Sequence, residues 1–344
     1  MGKRINVKTN KKILPLLLIV LVLTICVSLT IGKYPLGLTD IGNFFLLKLF
    51  KTGNMDVRQQ DLLSNLLFDI RLPRILAAAL IGASLSVAGA SFQAMFVNPL
   101  VSPSLLGVLA GASFGAALGM VFSGSWFAVQ CLTFFFGFLA VGIAVAIAKM
   151  HKGNTILLLI LGGVISGAMF TSLLSVIKYI ADPANQLPAI VQWLMGGLSL
   201  VDYKTLLAAG IPQIVSIALV ILFSGYLNAL SMGDEEARSL GIRVERIRLL
   251  LIFLATLMSA LTVVIAGMIG WVGLIIPHIT RMLVGPDNKI LVPASALIGA
   301  IYLIAVDNLS RMLFVVEIPM GIVTSLVGIP FFVIILRKAQ KGWA

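Results

Sequence analysis

Along this chain, long apolar stretches alternate with short polar ones. From Ile75 to Ala148 there are 74 consecutive residues without Asp, Glu, Lys or Arg. A helix needs about 20 mostly apolar residues to cross the hydrocarbon core of a bilayer, so this stretch is long enough for three crossings. Asn98-Pro99, Ser102-Pro103 and Ser123-Gly124-Ser125 mark the turns that divide it. The same reading predicts ten helices, near residues 13–32, 70–96, 104–122, 126–148, 155–180, 204–228, 247–269, 273–284, 290–312 and 319–337. The eighth is too short to span alone and carries Pro277, so it reads as a half-helix. Residues 229–246 form a charged connection expected on the cytoplasmic side, dividing the two halves of the chain. The expected fold is a single all-α polytopic membrane domain over residues 1–344. The first segment has the basic start and apolar stretch of a signal peptide. Its apolar run is 20 residues long, however, and Ile31-Gly32-Lys33-Tyr34 is a poor cleavage site, so the segment is expected to remain as an anchor.

Composition sharpens this picture. Hydrophobic residues make up 60% of the chain and charged ones only 11%, against about 25% charged in a soluble domain. The 25 Lys+Arg and 13 Asp+Glu leave a net charge of +12. A basic balance often points to nucleic acid, but the apolar excess assigns this chain to a bilayer and its positive charge to the cytoplasmic face. No nucleic-acid partner is expected. With both termini inside, 16 of the 25 basic residues fall in cytoplasmic segments. Cys26 and Cys131 lie in apolar runs and suggest neither a disulfide framework nor a metal site.

Helices in lipid associate through close backbone approach. Gly107, Gly111, Gly115 and Gly119 make one small-residue ladder, and Gly82, Ser86, Ala90 and Ala94 make another on the preceding helix, suggesting a tightly packed pair. Ala88-Gly89 precedes Pro99 by the interval at which Ala266-Gly267 precedes Pro277, a faint sign of inverted-repeat halves.

Chemistry is scarce. Lys178, His278 and Asp307 are the nearest to intramembrane ionisable groups, and all three fall toward helix ends. Proton- or ion-coupled carriers place such groups deep in the membrane. There is no G-x-x-x-x-G-K-[ST] phosphate loop and no nucleophile–base pattern. The chain is therefore not expected to be an enzyme or to hold a cofactor. Energy for uphill transport would have to come from a partner.

The polar connection carries its own pattern. Asp234, Glu235 and Glu236 suit the first turn of a short helix, where acids meet the positive end of the dipole. Ala237 and Leu240, three apart, would form a small apolar face, and Gly241 stands where a C-terminal cap belongs. Such a helix suits insertion into a partner's groove. An ordinary solvated loop is the alternative.

Several segments together resemble the FecCD-type permeases of bacterial ABC importers for iron–siderophore complexes, haem and vitamin B12. They are Arg71-Leu72-Pro73-Arg74; Gly89 to Leu100; Pro103 to Gly107; Trp193 to Leu198; Gly233 to Gly241; Gly270 to His278; and Glu317 to Thr324. The likeness runs from about residue 60 onward. It implies a ten-helix type II permease, paired with a second permease subunit, homo- or heteromeric, around a central path. Two ATP-binding cassette subunits, holding ATP and Mg, would dock inside, and an extracytoplasmic substrate-binding protein outside. By the same resemblance, Gly233, Asp234, Glu235, Glu236, Ala237, Arg238, Leu240 and Gly241 couple to the ATPase. Arg71, Arg74 and Arg311 would receive carboxylates of the binding protein, whose geometry a guanidinium fork matches; snorkelling at helix ends is the alternative. Asn98, Leu100, Asn154 and Thr155 would mark a cytoplasmic constriction, although Asn98 before Pro99 reads equally as a turn. The resemblance is poor over residues 33–69. The expected function is import of an iron–siderophore or related chelate across the cytoplasmic membrane. A secondary carrier or channel working without ATP is the alternative.

Overall fold

The computed structural model describes residues 12–34, 36–50, 56–123, 125–150 and 155–340, and their regular structure is entirely helical. Fifteen α-helices follow in order: α1 (Ile13–Thr30), α2 (Leu38–Phe50), α3 (Val57–Ser64), α4 (Leu72–Met95), α5 (Val108–Phe122), α6 (Trp126–Met150), α7 (Thr155–Ile180), α8 (Gln186–Leu194), α9 (Tyr203–Leu222), α10 (Ser224–Leu230), α11 (Asp234–Ser239), α12 (Val244–Ala266), α13 (Val272–Val284), α14 (Asn288–Met312) and α15 (Met320–Gln340). Seven helical segments among the described residues are long and apolar enough to cross a membrane, and α5, α13 and the 320–333 part of α15 are shorter apolar helices.

The differences from the sequence pattern have local causes. Helix 70–96 runs further back: α3 continues through a π-helical turn, Asn65–Arg71, into α4. Pro73 has no N–H to donate, and the Leu72 N–H bonds the Leu67 carbonyl in the i→i−5 register. The continuous helix Val57–Met95 has 39 residues. That is about 58 Å at 1.5 Å per residue, well beyond the ~30 Å hydrocarbon core. Its charged beginning, with Arg58, Asp61 and Asp69, made it read as loop. The amphipathic α8 and the helix α2 are likewise absent from the pattern, being too short for a crossing. The segment expected as one helix over 204–228 is broken at Phe223, which leaves the ladder with φ −84° and ψ 6°.

The small-residue ladders pack, but not on each other. On α5, a Cβ at Gly111 would lie 2.2 Å from the Phe136 carbonyl oxygen and one at Gly115 2.2 Å from that of Leu132, so α5 seats on α6. Gly107 is not part of this groove: with φ +84° it ends a 3₁₀ turn, Pro103–Leu106, and faces α7 at Gly167. On α4, Gly82 meets the Gly299 carbonyl of α14, and Gly89 meets that of Gly273 in α13, where a Cβ would stand 1.8 Å away. The spacing identifies a smooth face but not which neighbour uses it.

Helices α4, α12 and α14 pass through two apolar cores. One contains Val87, Phe92, Met95, Leu230, Ala237, Val244, Leu251 and Leu291. The other contains Ile75, Ile81, Leu85, Leu261, Ile265, Leu303 and Met320. The most apolar windows of Val57–Met95 and of α12 are each 78% buried, whereas that of α1 is 6% buried. The first two therefore form an inner scaffold, and α1 is a peripheral helix whose apolar surface is free for lipid.

Candidate functional site

One site lies where α4, α14 and the 313–319 connection meet. Arg74 donates through Nε to Asp307 Oδ1 at 2.8 Å, and through Nη1 and Nη2 to the two carboxylate oxygens of Glu317 at 3.1 and 2.9 Å. Arg311 Nε stands 3.1 Å from Asp307 Oδ2. Its Nη1 donates to the Ile31 carbonyl at 3.2 Å, and its Nη2 to Ser28 Oγ at 3.2 Å and to Asn308 Oδ1. Arg71 donates to the Leu29 and Tyr34 carbonyls. Two guanidiniums, Arg74 and Arg311, thus hold the two carboxylates, while Arg71 and Arg311 bond backbone carbonyls at the end of α1 and tie it to α4 and α14.

The three arginines at the expected helix ends are brought together, but buried rather than exposed: Arg71, Arg74 and Arg311 retain 4%, 7% and 6% of their surface, and Asp307 none. The sequence marks Asp307 as an ionisable group near a helix end but shows neither it nor Glu317 as the arginines' partner. The Asp307–Arg311 spacing of four on one helix was the available signal; nothing in the order of residues signals that Arg74 meets Glu317.

Beside this cluster is a cavity of about 800 Å³, lined in part by Lys33, Arg74, Trp126, Gln192, Trp193 and Glu317. Lys33 Nζ donates to the Val315 carbonyl at 2.7 Å. The neighbouring run Leu313, Phe314, Val315 and Val316 is exposed.

The second site is the polar connection. Gly233, at φ +113°, precedes α11, whose first turn holds Asp234, Glu235 and Glu236. Asp234 forms a two-pronged ion pair with Arg248 of α12, with Oδ2 3.0 Å from Nη1. Arg238 donates to Glu245 at 2.6 Å, and this exposed pair holds the Arg238 guanidinium above its ordinary pKa. Gly241, at φ +77°, donates to the Arg238 carbonyl and Ile242 to that of Ala237, at 2.9 and 3.2 Å. This is the paired closure of a Schellman cap. Ala237 and Leu240 do not share a face: Ala237 is fully buried and Leu240 is 63% exposed. With only six residues, the helix turns Ala237 into the core and leaves Leu240 as an outward apolar tip.

Asn98 Oδ1 accepts from the Leu100 N–H at 2.9 Å, a local turn bond, and Leu100 is exposed. Asn154 lies outside the described residues, and Thr155 opens α7. Among the described residues no group of three or more His, Cys, Asp or Glu could hold a metal ion.

Seven candidate spans and three shorter apolar helices among the described residues, with a buried charge cluster beside a cavity and a separate capped polar helix, define a polytopic membrane protein. The sequence model of the FecCD transport family matches residues 19–338, and the chain belongs to that family. It is 39% identical over 331 residues to the molybdate import system permease protein MolB of Haemophilus influenzae, covering 96% of this chain and 97% of that one. It is 34% identical over 340 residues to the hemin transport system permease protein HmuU of Yersinia pestis, covering 96% and 99%. A solved structure described as an inward-facing conformation, and assigned to the metal-chelate type of ABC transporter, matches with a TM-score of 0.85. That match has 38% identity and covers 95% of this chain and 99% of the other. Members of the family are permease subunits, not enzymes, and ATP hydrolysis belongs to a partner ATPase.

Proposed function

We propose that this chain is the membrane-spanning subunit of an ATP-driven importer for a metal chelate, an iron–siderophore foremost and haem or cobalamin as related cargo. It would sit in the cytoplasmic membrane with both termini inside and pair with a second permease subunit. Two ATPase subunits, binding ATP and Mg, engage residues 233–241, and a substrate-binding protein delivers cargo on the opposite face. The observation that carries this reading is α11, a capped helix bearing three acids and an exposed Leu240, anchored to the core by Ala237 and Arg248. Binding of the ATPase would shift the population between outward- and inward-open states through its different affinity for each.

The arginine cluster would receive acids of the binding protein. Its three cations against two carboxylates supply a net positive charge for attraction; Asp307 and Glu317 already occupy Arg74 and Arg311, so docking there exchanges partners, whereas Arg71 is held by the Leu29 and Tyr34 carbonyls. Helices α7 and α15 would line the path with a second subunit. Residues Leu161, Ile165, Met169 and Leu173 of α7 are exposed, and Thr171 and Ser175 bond carbonyls of their own helix. Asn98, Leu100, Asn154 and Thr155 would narrow its inner end.

The test is reconstitution of the complex in vesicles, with ATPase turnover followed across binding proteins loaded with iron–siderophore, haem, cobalamin or molybdate. Molybdate is included because of the Haemophilus influenzae relative. Stimulation by a loaded chelate-binding protein is expected. Stimulation by molybdate alone would replace the chelate assignment, and transport without ATP that collapses with an uncoupler would overturn the importer reading.

A further inference from the structure

A six-residue helix cannot hold its shape in water by itself, because helix nucleation is unfavourable and few bonds follow it. Two side-chain ion pairs fasten α11 to α12. The Arg238–Glu245 pair has both side chains at least half exposed, at 50% and 63%, whereas the Arg248 side chain is 3% exposed. Exposed pairs are screened by water and salt, and buried ones much less so. The Asp234–Arg248 pair, with Asp234 at 24% exposed and Arg248 at 3%, is thus the less screened of the two links between the helices. Arg248 Nε has no acceptor, so the side chain's directed bonding goes to Asp234.

At the other end of α12, the Ala266 carbonyl accepts from the Gly197 N–H at 2.9 Å. The Gly196 carbonyl in turn accepts from Met320 at 2.9 Å, and that of Met195 from Gly321 at 3.0 Å. There is little slack in this joint: a Cβ at Gly196 would stand 2.4 Å from the Met268 carbonyl oxygen, and one at Gly267 2.2 Å from that of Trp193. A largely buried helix of 23 residues, about 35 Å long at 1.5 Å per residue, thus links α11 to the first residues of α15.

We propose that Arg248 is a positioning residue whose fork on Asp234 makes α11 and α12 a single lever, so that displacement of α11 reaches residues 195–197 and the start of α15. The inference rests on the coupling reading of α11 given above. A guanidinium suits the task because two parallel bonds fix an angle as well as a distance, whereas an ammonium on a flexible stem swivels.

The experiment measures cargo transported per ATP hydrolysed by the complete complex in vesicles. It compares wild type, Arg248→Lys, Asp234→Asn, and the exchange of Asp234→Arg with Arg248→Asp. Arg248→Lys, which lies outside the ATPase-engaging residues 233–241, is expected to lower the ratio about fivefold or more while ATP hydrolysis continues; Asp234→Asn is expected to lower the ratio as well, and the exchange to restore at least half of it. Arg248→Lys keeps the charge and most of the volume, so it separates geometry from folding. A normal ratio in Arg248→Lys overturns the proposal, whether or not its thermal stability falls. A wild-type complex whose ATPase ignores loaded binding protein fails the function reading itself. A responsive wild type with a normal Arg248→Lys variant fails only the lever.

Discussion

At the scale of single residues, Arg74 and Asp307 dominate. Asp307 is buried between two guanidiniums, and removing one partner of a buried pair leaves a charge with inadequate compensation. Arg74→Gln is expected to cost about 3 kcal/mol of stability, read as a lowered midpoint in thermal unfolding of the detergent-solubilised protein. Adding Asp307→Asn should recover part of that loss, because the two residues act as one unit; strictly additive losses would refute the coupling. The helix cap at Asp202 is smaller in scale. Its carboxylate accepts from the Thr205 N–H at 3.0 Å, and hydrogen bonding from the Thr205 side chain, then from its backbone, holds its pKa below the ordinary value. A depressed native pKa means that the contribution is complete above the unfolded-state pKa and is lost as pH falls through the native one. Asp202→Ala is therefore expected to destabilise by about 1 kcal/mol near neutral pH and to matter progressively less in acid. Both effects are measured by comparing unfolding midpoints of variant and wild type across pH.

Helices were more legible in the sequence than their neighbours. Charge-free runs and Gly/Pro punctuation locate the long spans, because hydrocarbon demands an apolar surface of fixed length. The short helices α2, α8 and α11 obey no such length rule, and α11 showed itself only through its acids and Gly241. Pairing was illegible for a different reason: a small-residue face is compatible with any close backbone. The geometry now ranks the glycines. Gly89→Ala should force α4 from α13, since the new Cβ would stand 1.8 Å from a carbonyl oxygen. Gly142→Ala on α6 meets nothing within 4 Å and should be neutral or slightly stabilising, Ala being the better helix former by about 1 kcal/mol. Yield of folded protein by size-exclusion chromatography separates the two; equal yields would contradict the packing.

For the whole molecule, the expectation is that the isolated chain hydrolyses no ATP. The sequence has no phosphate loop, so measurable turnover by highly purified subunit would contradict its place as the passive member of the machine. The candidate site was half legible at this scale. The three arginines and the acidic helix stand out because charge is rare in this chain, but their burial and internal partners depend on contacts between distant segments. That distance bears on biogenesis. Arg74 and Asp307 are separated by 233 positions, and ribosomes add about 5–20 residues per second, so the first helix of the pair waits roughly 10–50 seconds for its counter-ion to be synthesised. During that interval a guanidinium cannot settle in hydrocarbon alone. The nascent chain must keep the Arg74 end of α4 in water or in the insertion machinery until α14 (Asn288–Met312) arrives, which makes the synthesis of the last sixth of the chain the step that lets this pair settle in the membrane.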